Sequence, residues 1–173
     1  HRRLSIIDLS VSGKQPMVSK DKNFIISYNG EVYNFKEIRK ELIKKGYKFK
    51  SRTDSEVVLS SWIEWGENCV HHFNGMFAFA IWDDSNKRLY IVRDRIGIKP
   101  VYFSRNNSAL IFASEIKAIL ADSSVKRAIE PAALNHYLSF MVAPAPLTMF
   151  KDIFKLPAGH ILEIGQTGSI SAR

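Results

Sequence analysis

Apolar residues along this chain repeat with two different periods, and the switches between them mark out short strands and short helices from one end to the other. Leu4-Ser5-Ile6-Ile7 reads as a strand, Ser12-Gly13-Lys14-Gln15-Pro16 as a turn, and Asn23 to Tyr28 as a second strand. The period then becomes helical: Phe35, Ile38 and Leu42 share a face that ends at Gly46, with Asn34 as N-cap and Glu37 three residues on. Thr53 and Glu56 form a second capping box, ahead of a face marked by Val58, Trp62 and Trp65 and closed by Gly66. Met76 to Trp82 and Leu89 to Val92 return to strand spacing around a polar turn at 83–88. Val101 to Ser104 and Leu110 to Ala113 form another such pair. Ser114 to Leu120 and Pro131 to about Phe140 predict helices, His160 to Ile164 a last strand, and Gly165 to Gly168 a turn. Runs of strands mixed with segregated helices give an α+β pattern.

At 173 residues, 46% of them apolar and 24% charged, the chain has room for one domain with a substantial core. No stretch approaches the ~18 uninterrupted apolar residues of a membrane span, and nothing after His1 resembles a signal peptide. We expect no membrane contact and a cytoplasmic location. The single cysteine excludes an internal disulfide and fits a reducing compartment. The net charge of +8 is concentrated between Lys36 and Arg52, where Lys36, Arg39, Lys40, Lys44, Lys45, Lys48, Lys50 and Arg52 face only Glu37 and Glu41. The segment has neither aromatic interleaving nor a nucleic-acid motif, so it reads as a solvated helix face or a contact for an acidic neighbour.

Cys69 lies near His71 and His72, but residues two apart on a helix do not face one another and no orienting acid accompanies them. A buried structural thiol is the expectation, and the spacing fits no zinc site, so no metal is expected. Tyr28-Asn29-Gly30-Glu31-Val32-Tyr33-Asn34 is richer. Asn-Gly is a common hairpin turn. It can equally be a pair of donors, a side-chain amide and a glycine N–H aimed at one developing oxyanion. Arg3 offers a fork for a carboxylate, while Glu31 and Asp54 offer acceptors for an ammonium.

Several blocks in order, His1 to Asp8, Gln15-Pro16-Met17, Tyr28 to Asn34, Asp54 to Val57, Asn74 to Asp83, Arg93 to Pro100, Ala113 to Ala118 and Leu156 to His160, resemble the glutamine amidotransferase domain of bacterial type B asparagine synthetases. The resemblance implies a class II glutaminase of the N-terminal-nucleophile hydrolase fold, with two stacked antiparallel sheets between helical layers, incomplete at the N-terminus. It implies L-glutamine as substrate, with Asn29 and Gly30 as the oxyanion hole. Arg3 would hold the α-carboxylate and Glu31 and Asp54 the α-ammonium, with the carbonyls of Leu4 and Ile6 beside the site. In that family a leading cysteine attacks the amide, its own α-amino group acting as base near neutrality.

The chain begins downstream of where that cysteine is expected and carries no Ser-Gly-Gly-x-Asp-Ser pyrophosphate loop. We therefore expect residues 1–173 to be the amidotransferase domain of a longer synthetase, with 165–173 starting the connection, and to lack glutaminase turnover alone. No cofactor is expected in this domain; ATP and Mg would serve a synthetase domain, the partner that takes the ammonia. Whether the parent forms a homodimer stays open. So do two alternatives: a related synthetase amidating a different carboxylate, and a degenerate binding or interface module.

Overall fold

A computed structural model describes residue 8 and residues 13–106, 109–165 and 170–172. The expected first strand, Leu4 to Ile7, lies outside them, as do Ser12 and most of the turn expected at 165–168. Strands β1 (Met17–Val18), β2 (Phe24–Val32), β3 (Gly75–Asp83), β4 (Arg88–Arg93), β8 (Ile161–Ile164) and β9 (Ile170–Ala172) form one antiparallel sheet in the order β1-β2-β3-β4-β8-β9. A second antiparallel sheet, in the order β6-β5-β7, consists of β5 (Tyr102–Arg105), β6 (Leu110–Ala113) and β7 (Ile153–Lys155). Helices α1 (Phe35–Lys44) and α2 (Asp54–Trp65) cover the outer face of the large sheet. The single turn α3 (Ile116–Ile119) packs on β5 and β6. Helix α4 (Pro131–Phe140) follows a loop.

Strand β3 shows how the layers are separated. Its side chains alternate, sending Phe77, Phe79 and Ile81 toward the helices and Ala78 and Ala80 toward the other sheet. On the helix side they join Ile26, Tyr28, Val32, Leu42, Val57, Val58 and Trp62 in one core. On the other side the two alanines let the small sheet approach, and Ile91, Val101, Leu156 and Leu162 fill the gap with Phe103, Leu110 and Phe112.

Four local expectations are corrected, the last of them in part. Strand β2 does not stop at Tyr28; it runs through Asn29-Gly30-Glu31 to Val32 and pairs with β3 along its whole length, from Phe24↔Asp83 to Val32↔Gly75. Asn34 occupies the N-cap position of α1 without capping it. Its amide instead donates to His72 O at 2.9 Å and accepts from Asn74 N–H at 2.9 Å, tying the helix entry to the loop before β3. The expected helix 114–120 shrinks to one turn. The capping box of α2 is half realised: Thr53 Oγ1 accepts from Glu56 N–H at 3.3 Å, but the Glu56 carboxylate turns to the N–H groups of Lys50 and Ser51.

Part of the basic segment is absorbed within the fold. Arg39 lies over the Phe49 ring, 4.5 Å from its centroid, and donates to Ser51 O, while Lys45 pairs with Glu64 at 2.8 Å.

Candidate active site on the outer edge of the second strand

Strand β1 pairs only with Ile25 and Ile26, so beyond them the edge of β2 away from β3 has no strand beside it among the described residues. Tyr28 N–H donates to Gln15 Oε1 at 2.6 Å, and Val32 N–H donates to Asp54 Oδ2 at 3.2 Å. Both N–H groups therefore point away from β3, and Gly30, midway between them, shares their parity. The opposite side agrees. Gly30 is paired with Phe77, whose N–H donates to Asp94 Oδ2 at 3.2 Å and whose carbonyl accepts from Asp94 N–H at 2.8 Å, leaving nothing to exchange with Gly30. The Gly30 N–H is thus bracketed by two occupied donors and aimed outward, with no acceptor among the described residues.

Glycine here answers to backbone proximity. A Cβ on Gly30 would lie 2.3 Å from Met76 O and 2.6 Å from Phe77 Cα, and one on Gly75 would lie 2.2 Å from Glu31 O and 2.8 Å from Val32 Cα. Both obstacles are backbone, so neither can swing aside. The Asn-Gly pair is therefore not a hairpin turn but the point where two strands come closest.

Adjacent side chains of β2 leave by opposite faces. Tyr28 enters the helix-side core, while Asn29 lies opposite Ala78, which faces the small sheet. Asn29 Nδ2 donates to Ser114 Oγ at 3.3 Å, at the end of β6. A primary amide has two N–H bonds. Ser114 takes one and fixes the plane in which the other is presented.

Asp54 opens α2 directly after Thr53 and is only 5% exposed. Its Oδ2 takes the Tyr28 hydroxyl at 2.7 Å as well as the Val32 N–H. The Tyr28 phenol is pushed far above its ordinary value, first by burial, then by the Asp54 charge and its hydrogen bond, and further by the charge of Glu31.

Asn29, Gly30 and Glu31 follow one another along β2 and Asp54 meets that strand at Tyr28 and Val32, while Arg3, Leu4 and Ile6 lie outside the described residues. Cys69 sits fully buried in the 3-10 segment Gly66–His71, its thiol pushed up first by burial and then by Glu67, which makes it an inert core thiol. His72 stacks on Trp65, with ring centroids 4.0 Å apart. Three supporting residues were not singled out from the sequence: Gln15, Ser114 and Asp94. Buried Asp94 collects the N–H groups of Phe77, Ile96, Ile98 and Lys99, and so clamps the loop after β4 to the strand backing Gly30. The only signal for them is their place inside the resembling blocks Gln15-Pro16-Met17, Ala113 to Ala118 and Arg93 to Pro100.

Two antiparallel sheets stacked face to face, with α1 and α2 on the outer face of the larger one, make this an α+β domain of the N-terminal-nucleophile hydrolase fold. The fold superposes on the glutamine phosphoribosylpyrophosphate amidotransferase of Bacillus subtilis with a TM-score of 0.67, covering 100% of this chain and 33% of that one at 17% identity. It superposes on a glutamine aminotransferase class-II domain protein of Silicibacter pomeroyi with a TM-score of 0.52, covering 88% of this chain and 67% of that one at 19% identity. Within that fold, the chain belongs to the glutamine amidotransferase domain family, which matches residues 1–173. It is 40% identical to asparagine synthetase [glutamine-hydrolyzing] 3 of Bacillus subtilis over 171 residues, spanning 97% of this chain and 28% of that protein. Asparagine synthetase [glutamine-hydrolyzing] 1 of the same organism is 39% identical, spanning 98% of this chain and 27% of that protein. Amidase chry2 of Gibberella zeae is 34% identical, spanning 94% of this chain and 23% of that protein. The chain thus spans under a third of each of these relatives.

Proposed function

We propose that, in the complete gene product, this domain binds L-glutamine against the edge of β2 away from β3 and hydrolyses its side-chain amide, and that the ammonia serves an ATP-dependent synthetase converting aspartate to asparagine. The observation that carries the reading is the outward Gly30 N–H, held between the bonded N–H groups of Tyr28 and Val32. When the thiolate of the leading cysteine expected in the complete gene product adds to the amide carbon, the carbonyl oxygen gains charge, and the Gly30 N–H and the second N–H of Asn29 receive it; the C–N bond then breaks, ammonia leaves, and water releases glutamate from the thioester. Both donors are set before the reaction by strand pairing and by Ser114, so little reorganisation accompanies the charge. Glu31 and Asp54 would hold the α-ammonium, Arg3 the α-carboxylate, and the Leu4 and Ile6 carbonyls would border the substrate.

Hydrolysis of an amide through a thioester needs no cofactor in this domain; ATP and Mg would serve the activation of the acceptor carboxylate. Relatives named asparagine synthetases favour aspartate as acceptor. A second reading, in which the same glutaminase supplies a different acceptor, is set beside it because a relative matched over 94% of this chain carries a name other than asparagine synthetase. The two separate when the complete gene product is given glutamine labelled with ¹⁵N in its amide, together with ATP, Mg and aspartate. Label in asparagine supports the first. Labelled ammonia released with no asparagine formed supports the second.

A further inference from the structure

From Pro131 to Phe150 the chain carries no Asp, Glu, Lys or Arg, although it is strongly charged elsewhere. Helix α4 lies in this stretch, and Ala133 is its only buried residue. Leu138 is 73% exposed and Phe140 71%, and Tyr137 and Val142 are exposed beside them. Met141 follows the helix in the left-handed region, at φ 58° and ψ 20°, and is 73% exposed. Left-handed backbone costs a non-glycine residue ~1–2 kcal/mol and is normally given to glycine. Here it carries an exposed apolar side chain instead. Only Asn135, His136 and Ser139 of the ten helix residues are polar, and ten residues are too few to hold a helix in water by propensity alone, so exposed apolar side chains on it call for a partner. Glu130 caps it and Pro131 starts it, which sets its first turn, while Leu138 and Phe140 in its last turn stay exposed.

We propose that the last turn of α4 and the residues after it, Tyr137 to Val142, are the docking face for the adjoining synthetase domain. The proposal rests on the reading above, that this domain is the amidotransferase part of a longer synthetase. The occupant follows from the relatives, in which a matching domain fills only 28% and 27% of the chain, so most of each protein lies beyond it. A patch without charge, rich in aromatic residues and Met, has the composition of an interface centre. It does not suit an anionic partner. Docking here would hold the glutaminase in register with the site that consumes its ammonia.

The test uses the complete gene product. Hydrogen exchange of the 137–142 amides is measured first, on the unsubstituted protein, and slow exchange is expected. The paired substitution Leu138→Gln with Phe140→Ser should speed that exchange at least tenfold. Glutamate release should stay within twofold, and asparagine formed per glutamate released should fall at least fivefold. Rapid exchange at 137–142 in the unsubstituted protein overturns the proposal, as does an unchanged product ratio in the folded variant. Protection that disappears when protomers dissociate on dilution overturns it in favour of a second copy. Failure of the glutaminase reading shows separately, as no glutamate release from either protein, while the exchange result still decides the docking face.

Discussion

Tyr28 donates its hydroxyl to Asp54 Oδ2 across 2.7 Å, joining the strand that carries Asn29 and Gly30 to the first turn of the helix behind it. The bond is buried, and Asp54 answers it by also accepting the Val32 N–H, so one carboxylate fixes the edge at two points. Tyr28→Phe removes a donor to a buried carboxylate and should cost about 1.5–3 kcal/mol of stability, measured by urea unfolding at neutral pH. A loss below half a kcal/mol would mean that the contact is incidental.

The same pair sets an alkaline limit. Burial and the two carboxylates raise the Tyr28 phenol in the folded state, so the neutral hydroxyl is the form that folding favours. Its contribution is complete below the unfolded tyrosine value of about 10 and is lost as the pH rises from there toward the folded value. Unfolding free energy should fall by up to about 1.4 kcal/mol per pH unit above pH 10 from this group, and Tyr28→Phe should remove that share of the slope. An equal slope in both proteins would assign the alkaline loss elsewhere.

Asp94 works at the opposite end of the scale. Burial alone would push its carboxyl up, but donors from Lys99, Ile98, Gly97 and Phe77 together hold it below the ordinary range. Its contribution is therefore present above the unfolded aspartate value of about 3.9 and is lost as the pH falls toward the lower folded value. Asp94→Asn should raise the pH at which acid unfolding begins and free the amides of Ile98 and Lys99 to exchange. Protection of those two amides that survives the substitution would contradict this.

Much of the fold was legible because it rests on local signals. The alternation of Met76 to Trp82, the Thr53 cap and Pro131 at the start of α4 each act within a few residues. What was missed depends on distant partners. Asn34 has the sequence of a cap but finds His72 and Asn74, and the strand continues through Asn29-Gly30 because Gly75, far along the chain, leaves room for it. Candidate donors and carboxylates could be named from residue type and resemblance. Which N–H is free on the edge could not, because that depends on Gln15, Asp54 and Asp94 closing around it in space.

Gly30→Ala and Gly75→Ala should each force the two strands apart and cost about 1–3 kcal/mol or more, since the added carbon meets backbone. Gly46→Ala meets nothing within 4 Å and is limited to the strain of its φ of 95°. Thermal melts of the three variants should place Gly46→Ala closest to the unsubstituted protein. The reverse order would remove the steric argument at Gly30.

Asn29→Ala should lower glutamine turnover in the complete gene product by about 10²–10³ while leaving KM nearly unchanged, because its bond to the oxyanion exists only as charge develops. Ser114→Ala should lower kcat less, and in the same direction, with Ser114→Thr restoring it. A change confined to KM in either variant would make Asn29 a binding group.

The most direct measurement is calorimetric titration of this protein with L-glutamine and with glutaramic acid, which lacks the α-ammonium, before and after Asp54→Asn. Glutamine should bind the unsubstituted protein and lose at least tenfold in affinity on substitution, while the weaker binding of glutaramic acid should not change. Equal affinity for glutamine in both folded proteins would contradict a glutamine pocket built on Asp54 and the edge of β2.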